Sequence, residues 1–221
     1  LAMHKNEAVL PHQWICLIII SVLLALTKPL YFLLAGAVLV IPVSRFGGWK
    51  QKLFISMTIL MATIVVALVW GMAIRGIVVT EEWAQPAAQI RFMFEQPFEF
   101  ISVLGATLAK WWSIYIKWFV GVLGWLDIWL PWWVYPTYVL MLIAAAMLDG
   151  DEHVKLWWGA KVYLAVLCTA ILLTIAISQY ITYTQPMAET VRGIQGRYAI
   201  PLALPVLLIL HNSILRLQSR R

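Results

Sequence analysis

The chain has 221 residues, of which 63% are hydrophobic and only 12% are charged, with a net charge of +6 and a mean hydropathy of +0.86. Soluble domains carry about 25% charged residues, so this composition, with several long apolar runs, excludes a soluble protein and indicates a membrane protein. The basic residues are dispersed and form no binding motif, which excludes a nucleic-acid partner. Four isolated histidines and two cysteines inside apolar runs predict no metal site, no disulfide and no cofactor.

The first region, 1–13, is polar and opens at Leu1 without the features of a signal peptide, so we expect the sequence to be part of a longer protein. The apolar stretch 14–43 is interrupted at Thr27-Lys28-Pro29. Since the residue before a proline avoids the helical conformation, this predicts a hairpin of two short helices, 14–26 and 30–43. The alternative is one kinked helix. A basic loop, 44–52, and a third span, 53–74, complete a transmembrane region over 14–74.

The second region, 75–136, is predicted to be extracytoplasmic or interfacial and is rich in tryptophan. Within 98–126, Lys110 and Lys117 are seven residues apart and share one helix face. Tryptophan and lysine on a partly apolar helix are typical of the lipid headgroup layer. The alternative is that 98–126 forms one more span. An aromatic belt lies between Pro131 and Pro136.

The third region, 137–221, is predicted to hold three more spans, at 137–148, 156–178 and 198–215, with polar loops at 149–155 and 179–197 and a basic tail. The fold class is therefore all-α, a polytopic transmembrane bundle of about six spanning or re-entrant helices. Basic segments mark the cytoplasmic side. On that rule the 44–52 loop and the C-terminus are cytoplasmic, and the Lys28 turn and the loops 75–131 and 179–197 face outward.

Three features carry candidate chemistry. Lys28 is an ionisable group among apolar neighbours, which indicates function unless it snorkels to the interface. In Gly193–Pro201, glycines allow close backbone approach and Arg197 offers a planar fork for a phosphate or carboxylate. A tight turn with an interfacial Arg-Tyr anchor is the alternative there. The candidate ligand-binding residues are Lys28, Gln195, Gly196, Arg197 and Tyr198.

Asp127 is the candidate catalytic carboxylate, although the catalytic residue is otherwise unknown. It follows a glycine- and aromatic-rich run, 121–126, which predicts a helix that packs closely and then turns. An acid at membrane level acts as a base or a metal ligand, or it caps a helix or pairs with an arginine. The last two roles are the more common.

Taken in order, several motifs resemble the C-terminal half of the bacterial membrane proteins grouped as domain of unknown function 2142. The likeness covers about 14–215, and its motifs are Ala25–Tyr31, Ile41-Pro42 with Arg45-Phe46, Gln96–Phe98, Gly121–Asp127 with Leu130-Pro131, and Tyr183-Thr184 with Gly193–Tyr198 and Pro201.

The family in turn is similar to the GT-C class of multi-spanning glycosyltransferases, which take a sugar from a polyprenyl-phosphate carrier at the outer membrane face. That resemblance implies that Lys28 and Arg197 bind the lipid phosphate and that loop 75–131 shapes the sugar and acceptor site. GT-C enzymes carry their essential acid in a first extracytoplasmic loop that this sequence does not match. Asp127 does not simply replace it, so we expect this chain alone to be inactive.

The resemblance predicts sugar transfer from a polyprenyl-phosphate donor during assembly of bacterial surface polysaccharide or glycolipid, in the cytoplasmic (inner) membrane. The alternative is a non-catalytic membrane subunit or a lipid-carrier transporter in a larger complex. The expected partners are membrane lipids, the polyprenyl-phosphate carrier, and the N-terminal half or other membrane subunits.

Overall fold

A computed structural model describes residues 10–74, 76–77, 83–148 and 156–211 of the chain. Helices dominate this part, which confirms the all-α prediction. The α-helices are α1 (Pro11–Thr27), α2 (Trp49–Ala73), α3 (Pro86–Glu95), α4 (Pro97–Val120), α5 (Val134–Leu148), α6 (Trp158–Tyr183) and α7 (Ala203–Leu210). The 3₁₀ helices are Pro29–Val40, Val43–Phe46 and Gly196–Leu202, and two short strands, β1 (Val122–Leu123) and β2 (Ile128–Trp129), form an antiparallel hairpin.

Among the described residues, α2 and α6 are long and apolar enough to cross a membrane. They have 25 and 26 residues, which at a rise of about 1.5 Å per residue exceeds the roughly 30 Å of a hydrocarbon core. Four shorter helical segments are also apolar, namely His12–Thr27, Pro29–Val40, Val134–Leu148 and Gly196–Leu210. That α2 and α6 span, and how many of the shorter segments do, stays a prediction.

Several predicted boundaries were wrong, for local reasons. Helix α2 begins at Trp49, inside the predicted loop 44–52, because Gly47 and Gly48 have positive φ and end the preceding turn. Helix α6 continues to Tyr183, into the predicted loop 179–197. The predicted span 198–215 begins instead as a 3₁₀ helix that contains Pro201, and the α-helix α7 starts only at Ala203. The predicted loop 149–155 and the basic tail lie outside the described residues.

By internal contacts the chain divides into two units. The first comprises Leu1–Gly76, Met141–Ile171 and Leu202–Arg221, and the second comprises Ile77–Leu140 and Leu172–Pro201. Each unit has its own core. The four regions predicted from the sequence stay a prediction.

In the first unit, the chain breaks where the sequence predicted. Lys28 is extended, with φ −153° and ψ 119°, between α1 and the 3₁₀ helix Pro29–Val40. These two helical segments then pack against each other, because Trp14 and Ile18 of α1 contact the buried cluster that includes Ala35 and Val38. The two short helices therefore form the predicted hairpin, and the single kinked helix is excluded.

Two lysines of the first unit serve helix ends. Lys52 Nζ donates a hydrogen bond to the Leu39 carbonyl at 2.8 Å, and Lys161 Nζ donates to the His211 carbonyl at 2.6 Å. The last carbonyls of a helix have no partner within it, and a cation there also offsets the negative end of the helix dipole. The positions of these two ammonium groups are therefore explained by contacts within the protein, without a ligand.

The core of the second unit positions the candidate site. Phe100 of α4, Tyr180 of α6 and Val191 of the following loop form a buried cluster. The rings of Phe100 and Tyr180 have centroids 5.0 Å apart. The loop after α6 is therefore packed onto α4 and is part of the core.

Candidate functional site

The start of the loop after α6 is fixed by two buried polar side chains. The Thr184 hydroxyl donates to the Gln179 carbonyl (3.1 Å) and accepts the Arg192 backbone N–H (3.0 Å). The Gln89 amide donates from Nε2 to the carbonyls of Tyr180 (3.2 Å) and Thr184 (2.9 Å). Since these carbonyls close the last turn of α6, Gln89 satisfies acceptors that the helix itself leaves open. This explains why α6 extends beyond its predicted end.

The middle of the loop is attached to α4. The Val191 backbone N–H donates to the Thr107 hydroxyl at 2.8 Å, and that hydroxyl donates to the Val103 carbonyl at 2.6 Å. Gly193 follows with φ +80°, and a Cβ there would lie 2.7 Å from the Tyr183 ring. Positive φ favours glycine, so this position tolerates other residues poorly.

Gly196 brings the loop into backbone contact with α4. It is buried, and a Cβ on it would overlap the Tyr115 carbonyl oxygen and lie 2.7 Å from the Phe119 backbone nitrogen. Backbone atoms cannot rotate away, so only glycine fits. The side of Gly196 where a Cβ would lie is occupied by α4, and a ligand contact by the rest of this residue stays a prediction.

Arg197 is exposed on this fixed loop. Its Nε donates to the Gln195 side-chain oxygen at 2.6 Å, which orients the guanidinium. Neither terminal nitrogen of Arg197 forms a hydrogen bond or ion pair with the described residues. Gln195 and Tyr198 beside it are half-buried. The structure thus brings together four of the five predicted ligand residues, and the arginine fork is available to an anion.

The model of a family described as predicted membrane protein (DUF2142) matches residues 1–206. This match covers nearly the whole chain. The chain belongs to the DUF2142 family. No curated protein and no solved structure matches it. The resemblance seen in the motifs is therefore confirmed at the level of the family, and a membrane location follows from it.

The fifth ligand candidate of this DUF2142 protein, Lys28, lies at the break between α1 and the next helix. Its backbone N–H donates to the Leu24 carbonyl (3.3 Å), and its carbonyl accepts from the Tyr31 N–H (2.9 Å). The side chain is partly buried. Lys28 belongs to the first unit and Arg197 to the second, so contact of both with one phosphate stays a prediction.

Asp127 lies in the turn between β1 and β2, where it is exposed and its carboxylate closely approaches Gly124. The run 121–127 was predicted to belong to a packed helix, and this was wrong because Gly121, with φ +153°, ends α4. Within the described part of the chain, no cluster of histidine, cysteine or acidic side chains could hold a metal. A role of Asp127 as a base stays a prediction.

Trp118 is a candidate functional residue that sequence reasoning did not identify. Its indole Nε1 is buried and has no hydrogen-bond partner among the described residues, although buried donors are normally satisfied. Trp118 precedes Phe119, where Gly196 packs, and its ring lies 6.1 Å from that of Tyr115. Burial raises the pKa of Tyr115 to about 12, so its phenol stays neutral. Nothing in the sequence distinguishes Trp118 from its neighbouring tryptophans, because the burial of its indole nitrogen depends on tertiary packing and not on local sequence.

Proposed function

We propose that this protein transfers a sugar from a polyprenyl-phosphate carrier during assembly of bacterial surface polysaccharide or glycolipid, in the cytoplasmic membrane. The segment Gln195–Tyr198 binds the phosphate of the carrier. The supporting observation is the exposed guanidinium of Arg197, whose terminal nitrogens are open on a loop held by Thr184, Thr107 and Gly196. A fixed cation of this geometry suits a lipid phosphate in a protein of a membrane family.

In the proposed reaction, an acceptor hydroxyl attacks the anomeric carbon and the bond from that carbon to the phosphate oxygen breaks. Arg197 hydrogen-bonds to the phosphate and stabilises the negative charge that grows on it. The hydroxyl proton passes to a carboxylate base. Asp127 is the candidate within this chain, but GT-C enzymes carry their essential acid in a loop that this sequence does not match, so we expect transfer to require a partner that supplies it. Lys28 is the second candidate cation for the phosphate.

The test is binding of radiolabelled polyprenyl phosphate to the full chain in nanodiscs. Hydrogen bonds to charged groups contribute about 1.5–3 kcal/mol, so Arg197→Ala should weaken binding by about ten- to a hundredfold. Arg197→Lys retains the charge and loses the planar fork, so we expect an intermediate affinity.

Arg192→Ala is the matched control. This arginine is also exposed on the same loop, and it is tied to Thr184 through its backbone, which the substitution leaves intact. Its affinity should stay within about twofold of the natural protein, a difference well under 1 kcal/mol. Unchanged binding in Arg197→Ala would refute the site. Carrier binding without transfer to any acceptor glycan, in a preparation that includes its membrane partners, would instead indicate a carrier transporter or a non-catalytic subunit.

A further inference from the structure

Helix α4 has three distinct sides. One is buried in the second unit and includes Phe100 and Thr107. A second is an exposed apolar stripe, formed by side chains that recur at helical spacing: Phe98, Ile101, Leu108, Trp112 and Ile116. The third carries Lys110 and Lys117, with exposed Glu99 at its N-terminal end, and lies far around the helix from that stripe, so this side is basic along its middle and C-terminal part. An apolar face opposite a basic one is typical of a helix lying in a membrane interface.

The lysines argue against a spanning orientation of α4. Lys110 lies near the middle of this helix and is exposed, so a span would place its ammonium in the hydrocarbon, where charge is costly. Its Nζ lies 5.4 Å from the centroid of the Trp111 ring. Lys117 Nζ lies 5.8 Å from the centroid of Trp129. Ammonium groups beside indole rings suit the headgroup layer, which offers both phosphates and apolar contacts.

The hairpin that follows α4, residues 121–130, is called the tryptophan hairpin. It further restricts how deep in the bilayer this part of the chain can lie. Its two strands pair only with each other, through Val122 with Trp129 and Leu123 with Ile128, so their outer backbone edges are open within the described part of the chain. Open sheet edges facing lipid do not occur in hydrocarbon, where backbone groups lack partners. The tip residue Trp125 is 98% exposed, so the described residues do not cover it.

The turn of the tryptophan hairpin is strained, which supports a functional role for its tip. Leu126 has φ +67°, a conformation uncommon for residues other than glycine. A strained backbone conformation persists only where the surrounding structure imposes it, and such residues cluster at functional sites. In this turn the strain accompanies a fully projecting Trp125, with Trp132 and Trp133 also exposed close behind it.

We propose that α4 and the tryptophan hairpin lie in the plane of the bilayer interface and anchor the second unit to it. The apolar stripe contacts the upper acyl chains, Lys110 and Lys117 contact phospholipid phosphates, and Trp125 inserts its ring among the headgroups. This anchor can hold or fail independently of the proposed sugar transfer, because its side chains are not those of Gln195–Tyr198 and its test measures membrane depth and not carrier binding.

The depth of fluorescent labels tests this proposal. In a background with Cys16→Ala and Cys168→Ala, single cysteines replace Leu108 or Trp125, and an environment-sensitive fluorophore is attached. The full chain is reconstituted in vesicles of phosphatidylcholine and phosphatidylglycerol that carry a quencher high or low on the acyl chain. We expect the Leu108 label to lie about 5–10 Å below the headgroup boundary and the Trp125 label to lie at that boundary, among the headgroups.

Two control positions calibrate the depth measurement. Leu172→Cys lies exposed near the middle of α6 and should report the bilayer centre, about 15 Å from the boundary, whereas Glu189→Cys lies in the loop after α6 and should report water. A Leu108 label as deep as that at Leu172 would show that α4 spans and overturn the proposal. A Trp125 label quenched by aqueous iodide like that at Glu189, or shielded from lipid and water alike by a partner protein, would also overturn it. Trp132→Cys gives an independent exposed position if either variant fails to fold.

Discussion

The contact between Gly196 and α4 can be tested by adding a single methyl group. In Gly196→Ala the new Cβ would overlap the Tyr115 carbonyl oxygen and lie 2.7 Å from the Phe119 nitrogen. Both atoms belong to the hydrogen-bonded backbone of α4, so neither can move without distorting the helix. The loop must therefore lift away, which also displaces Arg197.

The magnitude follows from the rigidity of this contact. Overpacking a close contact costs about 1–3 kcal/mol, and a backbone neighbour places the expected cost near the upper end. Alanine also reduces the conformational entropy of the unfolded chain, which stabilises the folded state by about 0.4–1 kcal/mol and partly offsets this cost. The net loss of about 2 kcal/mol should lower Tm by about 4–8 °C in a chain of this size. Thermal unfolding of the detergent-purified protein, followed by circular dichroism, measures this shift.

Gly105→Ala is the control. Gly105 lies in the interior of α4, and a Cβ there would meet nothing within 4 Å. Because glycine destabilises a helix interior by about 0.5–1 kcal/mol relative to alanine, this variant should unfold at the same or a slightly higher temperature. Equal Tm values for Gly196→Ala and the natural protein would refute the close contact and the fixed position of Arg197.

Two hydrogen-bond predictions concern the same unit. Gln89→Leu removes two hydrogen bonds and leaves two carbonyls unsatisfied, so we expect the free energy of unfolding to fall by about 2–4 kcal/mol. Gln185→Leu is its control, because this side chain is exposed, and it should change the free energy of unfolding by about 0.5 kcal/mol or less. Thr107→Val keeps the shape but leaves the Val191 N–H without an acceptor, so we expect a loss of about 1–3 kcal/mol. Thr137→Val is its control, since that exposed hydroxyl donates to the carbonyl of Trp133, the residue just before its own helix, and to no distant segment. Unfolding titrations measure all four, and equal losses in a variant and its control would contradict the assigned bond.

The sequence predicted features that depend on local chemistry. The break at Lys28 was predictable because Pro29 restricts the residue before it, and the apolar runs that became α2 and α6 are long enough to be distinctive. The cluster of Gln195, Gly196, Arg197 and Tyr198 was predictable because these residues are contiguous, so any loop would keep them together.

Features that depend on distant contacts were missed. Gln89 bonds to a helix end 91 residues later, and Thr107 bonds to a backbone N–H 84 residues later. No pattern in the local sequence predicts hydrogen bonds between residues so far apart in the chain. The tryptophan hairpin was missed because its strands have two residues each, too few for an alternating pattern to be distinguished from the apolar helix before it.

A photoreactive polyprenyl phosphate tests most directly whether the Gln195–Tyr198 segment binds the lipid phosphate. A reactive group close to the phosphate should cross-link peptides that contain this segment or the Tyr115–Phe119 turn of α4. The cross-link should be lost in Arg197→Ala and retained in Arg192→Ala. Cross-links confined to other parts of the chain, or unaffected by loss of the Arg197 guanidinium, would contradict the proposed phosphate site.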